Sequence, residues 1–136
     1  VTLEARVLQV RDVSAGEAVG YGAVGSLDRA GRVAIVSVGY ADGLLRNAGE
    51  SRETAGASAW AAGHRLPYVG RVSMDLIALD VTAVPEALVR RGSWVELFGP
   101  HVAVDDVAHA AGTIGYELLT GLSRRYARRY VGLDAR

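Results

Sequence analysis

A chain of 136 residues, half of them hydrophobic and with no formal net charge, is long enough for one domain with its own core. The charge balance argues against a nucleic-acid partner held by bulk electrostatics. No apolar run approaches the roughly 20 residues that span a bilayer, and no stretch at the start reads as a secretory leader. There is no cysteine, hence no disulfide framework and no thiolate metal site, which suits a cytoplasmic protein.

The first stretch, VTLEARVLQVRDV, alternates: Leu3, Ala5 and Val7 face one way, Glu4 and Arg6 the other, which predicts a strand with one solvated face. A turn at Ala15-Gly16 leads into a second predicted strand, AGEAVGYG. A further turn at Asp28–Gly31 precedes a buried strand from Arg32 to Tyr40. Residues 41–59, rich in Gly, Ala, Ser and charge, read as a long loop. SAWAAGHRLPYVGRV predicts a hairpin turning near Ala62-Gly63, SMDLIALDVT a strong strand, and SWVELFGP another. Helical spacing enters only late, in Val107, Ala110, Ala111, Ile114, Leu118 and Leu122. Asp105 is a candidate N-cap there, Gly112 a break and Thr113 a second N-cap. The fold class is mainly β: a small β-barrel or sandwich domain over residues 1–136, with a helix pair near the C-terminus.

Three of the six tyrosines, Tyr21, Tyr40 and Tyr116, directly follow a glycine. Glycine weakens element interiors and stands there where the backbone bends or something approaches it closely. Tyr21 and Tyr40 suit an acid/base or substrate contact, but taken alone each motif favours an aromatic ring lying over a bare strand glycine. Tyr116, in the predicted first turn of a helix, could add a donor to an anion-attracting terminus, or could be an amphipathic core aromatic. In RVSMD the only methionine, Met74, precedes Asp75, a carboxylate in an otherwise apolar run. A buried carboxylate needs partners, whereas an edge-strand carboxylate needs only water. His64, His101 and His109 are too scattered for a metal site, and none is assigned. The arginines at 124, 125, 128 and 129 read as a solvated or internally paired face.

All fifteen basic residues are arginine, so chemistry that needs a lysine Schiff base cannot be complete in this chain. VGYG at 19–22, VGYADGLLR at 38–46, YVGRVSMD at 68–75, VELFG at 95–99 and VDDVAHAAGTIGYELLTGLSRRY at 104–126 follow one another in that order. With these motifs the chain resembles, over essentially its whole length, the C-terminal domain of the alanine racemase family. The resemblance implies an enzyme that interconverts L- and D-alanine with pyridoxal 5'-phosphate and supplies D-alanine for peptidoglycan. It implies as partners an N-terminal α/β barrel, which carries the cofactor lysine and is absent from this chain, and the second subunit of a homodimer. The substrate is then a small amino acid, with no nucleic acid and no membrane involved. Tyr21 would be the second acid/base and Tyr40 would lie at the substrate entrance. Met74 would offer its backbone N–H to the substrate carboxylate with Asp75 beside it, and Tyr116 would donate to the cofactor phosphate. By itself the chain is expected to be inactive. Two departures stand out: the loop over 47–59, whose length varies in the family, and SRRYARRY, where many members carry a proline. A broad-specificity amino-acid racemase domain and a stand-alone β-barrel interaction module are the alternatives.

Overall fold

The computed structural model describes residues 1–20, 22 and 24–132. Its strands are β1 (Leu3–Val13), β2 (Gly31–Val36), β3 (Ser58–Ala61), β4 (His64–Pro67), β5 (Ile77–Asp80) and β6 (Trp94–Phe98). Two short helices follow, α1 (Val104–Ala110) and α2 (Gly115–Thr120). The strands form one sheet in the order β4-β3-β6-β1-β2-β5, antiparallel throughout. A bridge between Tyr68 and Leu79 joins the ends of that order, so the sheet curls into a nearly closed barrel. The predicted mainly-β barrel with a late helix pair is the architecture observed.

β1 holds the two halves together. Its first residues pair with β6 and its later ones with β2, and the register shifts between Val7 and Gln9. Such an irregularity bends a strand and increases its twist, which lets one long strand turn a barrel corner. The alternation read from the sequence is real: Leu3, Ala5 and Val7 enter the core while Glu4 and Arg6 face water. Phe98, Leu97, Leu79, Leu66 and Leu118 are fully buried, the last closing one end from α2.

Three predicted strands are shorter or differently placed. The described residues of this stretch, 15–20 and 22, form no strand; the Gly16 N–H donates to the Leu27 carbonyl (2.8 Å) and the Val19 N–H to that of Gly25 (2.8 Å). Val19 is instead buried with Val13, Val33, Val69 and Ala78, in a small second core on the outer face of β2 and β5. Those two strands are therefore covered on both faces and read as continuous apolar runs. β2 ends at Val36, so Tyr40 opens a 3-10 turn (Tyr40–Asp42) instead of closing a strand. β5 starts only at Ile77, which leaves Met74 and Asp75 in a bend before it. The hairpin turns where expected, with Ala62 and Gly63 both at positive φ (51° and 82°), the primed turn that matches strand twist.

Both helix starts move by a residue or more. Ala103 stands at the N-cap of α1, and Asp105 lies in its first turn. Ile114 takes the N-cap of α2 in place of Thr113, so the helix runs from Gly115.

Candidate functional site

The glycines before the tyrosines serve space and bending. A side-chain carbon on Gly39 would overlap the Ser73 and Met74 carbonyls, and one on Gly115 would overlap the Asp105 carboxylate. Gly20 instead sits at φ 79°, a conformation that favours glycine. Tyr21 itself lies outside the described residues. Its neighbour Gly22 faces the Arg71 guanidinium; a side-chain carbon there would stand 3.8 Å from Nη1.

Close approach at Gly39 joins two distant segments. The Tyr40 N–H donates to the Ser73 carbonyl (3.0 Å) and the Ala41 N–H to the Met74 carbonyl (3.0 Å). Tyr40, Arg46, Arg71, Val72, Ser73 and Met74 then line an open pocket of about 290 Å³. Tyr40 is 43% exposed and Met74 53%, large values for an aromatic and a methionine that sit side by side. The Met74 N–H donates to no acceptor among the described residues, although its carbonyl is engaged. The pocket thus offers a free amide donor, a phenol and two guanidiniums, with no acid in its lining. That set suits a small anionic group such as a carboxylate.

Asp75 is half exposed and paired: its Oδ1 accepts from Arg125 Nη2 at 2.9 Å. The same guanidinium meets the buried Asp42, with Nε 3.2 Å from Oδ1. Asp42 Oδ2 accepts the Gly39 N–H at 2.9 Å, which closes the Tyr40 turn. The hydrogen bond to Asp75 and the charge of Asp42 push the Arg125 pKa above its ordinary value, so it is a fixed cation. Tyr116 lies apart from the pocket lining on α2 and is 78% exposed, its ring in no core. The structure therefore brings together Tyr40, Met74 and Asp75, and leaves Tyr116 on a neighbouring surface.

Two further tyrosines are poor proton carriers. Burial, and then the proximity of Tyr126, raises the Tyr68 hydroxyl pKa; burial, and then the charge of Asp42, raises that of Tyr126. Neither hydroxyl has a hydrogen-bond partner among the described residues.

Sequence reading missed Arg46, Arg71, Asp42 and Arg125. The signal for Asp42 was present: a carboxylate two places after Tyr40 in GYADG. Arg71 stands likewise in YVGRVSMD, three places before Met74. Nothing local marks Arg125 among its neighbouring arginines.

The sequence profile of the family described as "Alanine racemase, C-terminal domain" matches residues 1–130. The biosynthetic alanine racemase of Agrobacterium fabrum is 50% identical over 96% of this chain, and an alanine racemase of Rhizobium meliloti 51% identical over 97%. Those alignments cover 35% and 36% of the two relatives, so the chain spans about a third of their length. Among solved structures, biosynthetic alanine racemase from Pseudomonas aeruginosa aligns over 95% of this chain and 34% of its own, at 45% identity and a TM-score of 0.84. Alanine racemase from Bartonella henselae with covalently bound pyridoxal phosphate aligns over 96% of this chain and 34% of its own, at 41% identity and a TM-score of 0.85.

Proposed function

This chain belongs to the alanine racemase C-terminal domain family, and on that premise we propose that it is the β-domain of an enzyme interconverting L- and D-alanine. It works there beside an N-terminal barrel and a second subunit, in the cytoplasm. The observation that carries this reading is the Tyr40–Met74 junction: a free backbone donor exposed at an arginine-lined pocket.

Racemisation removes the α-proton from one face of a substrate and returns it on the other, so two proton carriers must flank the substrate. Tyr21 is the carrier this chain supplies: as phenolate it takes the α-proton from L-alanine, and as the resulting phenol it returns the proton in the reverse direction. Met74 binds the substrate carboxylate through its backbone N–H. Arg46 and Arg71 add positive charge to that pocket. Tyr40 stands at the substrate entrance. Pyridoxal phosphate, when bound, supplies the electron sink that makes the α-proton removable. The residues present fit it in part: the exposed Tyr116 hydroxyl is a donor for its phosphate, while a chain without lysine holds no covalent anchor.

The test uses the full-length protein loaded with pyridoxal phosphate. It should racemise alanine, and faster than serine. Tyr21→Phe should leave folding and cofactor absorbance nearly normal and lower turnover by roughly 10²–10⁴, the usual worth of a positioned acid/base. Solvent deuterium exchange into D-alanine should survive better than exchange into L-alanine. No racemisation by the loaded wild type would overturn the reading, and preference for larger amino acids would make it a broad-specificity enzyme.

A further inference from the structure

We propose that Arg125 is a positioning residue for this pocket: one guanidinium, joined to Asp42 and Asp75, holds the turn that presents Tyr40 against the bend that presents Met74. The proposal rests on reading Tyr40 and Met74 as substrate-facing.

Asp42 lies two residues after Tyr40, and Asp75 directly follows Met74. Left alone, two carboxylates brought this close would repel and push the turn and the bend apart. Arg125 reverses the sign of that interaction. Its Nε edge meets Asp42 (3.2 Å) and its Nη2 meets Asp75 (2.9 Å), two directions that a planar fork offers at once and a single ammonium does not. The guanidinium is delivered by a pinned segment. The Ser123 N–H donates to the Asp42 carbonyl (3.0 Å), and the Arg125 N–H donates to Ser123 Oγ (3.1 Å). Gly121 packs its carbonyl against Gly43, where a side-chain carbon would overlap it. The only other ties described between the turn and the bend are the Tyr40 and Ala41 amides on Ser73 and Met74. Two backbone bonds next to open solvent fray readily. The arginine reaches both carboxylates from outside the core, with its side chain half exposed. Its effect is thus on the spacing of Tyr40 and Met74 and not on the stability of the barrel.

The test compares wild type, Arg125→Gln and Arg125→Lys in the full-length protein, by amide hydrogen exchange and by kinetics. In Arg125→Gln, exchange at the Tyr40 and Ala41 amides should speed by about tenfold, while β2 amides such as Ala34 keep their rates. Arg125→Lys should recover only part of that protection, since it reaches one carboxylate. The KM for alanine should rise about tenfold with kcat within about threefold, because the Met74 amide contributes to substrate binding. Unchanged exchange at Tyr40 and Ala41 overturns the proposal whatever the activity. Faster exchange with unchanged KM also overturns it, for the contact is then structural only. If the wild type does not racemise alanine, the racemase reading falls, and the exchange rates still decide whether Arg125 holds the two segments. Should Arg125→Gln fail to fold, Asp75→Asn, which weakens one arm, must show the same exchange pattern at smaller amplitude or the proposal fails.

Discussion

Glu96 and Asp42 are the two carboxylates buried among the described residues, and they are satisfied in opposite ways. Glu96 draws every partner from its own neighbourhood. Oε1 accepts the N–H groups of His101 (2.8 Å) and Val102 (3.0 Å), and Oε2 accepts from His101 Nδ1 (2.8 Å). Trp60 stacks on that imidazole, ring centroids 4.8 Å apart and planes 3° from parallel. Asp42 takes one local donor, the Gly39 N–H, and one from the far tail, Arg125, which it shares with Asp75. A charge satisfied by its own turn fixes that turn and nothing else. A charge satisfied from across the chain makes the geometry of one segment depend on another, and here the dependent segments are those that line the open pocket.

The comparison breaks most sharply at Gly39. Gly39→Ala drives a carbon into the Ser73 and Met74 carbonyls and shifts the N–H that Asp42 needs. Alanine turnover in the full-length protein should fall at least about 100-fold, while stability in urea drops by about 1–3 kcal/mol, as for other overpacked sites. Turnover near wild type would mean that the pocket tolerates a wider junction than its geometry indicates.

The reverse pattern is expected at the closed site. Glu96→Ala leaves the N–H groups of His101 and Val102 without their acceptor and should cost about 3 kcal/mol in urea unfolding, with turnover per folded molecule unchanged. A drop in kcat at constant folded fraction would erase the distinction between the two carboxylates.

Titration sharpens the same contrast. Burial pushes the Glu96 pKa up, but the hydrogen bonds from the His101 ring and from the His101 and Val102 amides outweigh it and hold the carboxyl below its ordinary 4.5. A carboxylate depressed in the folded state contributes stability that is complete above its unfolded pKa and is lost as pH falls through the folded value. Urea midpoints should therefore decline below about pH 4.5, and Glu96→Gln should flatten that decline. An equally steep decline in the variant would assign the acid sensitivity elsewhere.

The smallest effect is expected where only an amide is used. Met74→Leu conserves volume and backbone, so kcat and KM should stay within about threefold of wild type, whereas Asp75→Ala, which frees one arm of Arg125, should cost more. A methionine substitution more damaging than that of the aspartate would show that the thioether itself meets the substrate.

How far these regions were legible follows the same division. Alternation in β1, the turn at Ala62-Gly63 and the late helical spacing are local signals, and each element appeared where they pointed. The strands predicted over 15–22, as far as its described residues go, and into Tyr40 and Met74 failed for a physical reason. Apolar alternation registers burial, not hydrogen bonding, and Val19 is buried as a cover over β2 and β5 without joining the sheet. Asp75 could be read as solvated or paired, and only the fold brings Arg125, fifty residues away, to decide it. The arginine-rich tail read as solvated or internally paired, and at Arg125 it is paired.

The seam at Tyr68 has a consequence for how copies of this domain meet one another. β4 and β5 end the strand order, and a sheet with two free ends can template further strands from other molecules. Here the Tyr68–Leu79 bridge and the Val69 N–H on the Ala78 carbonyl (2.9 Å) turn those ends toward each other. Along β4, Arg65 places a charge at the margin and Pro67 has no N–H to offer an incoming strand. Contacts between molecules are therefore left to side chains and loops, which can be read for shape and charge. Backbone ladders cannot, and it is they that propagate into fibrils.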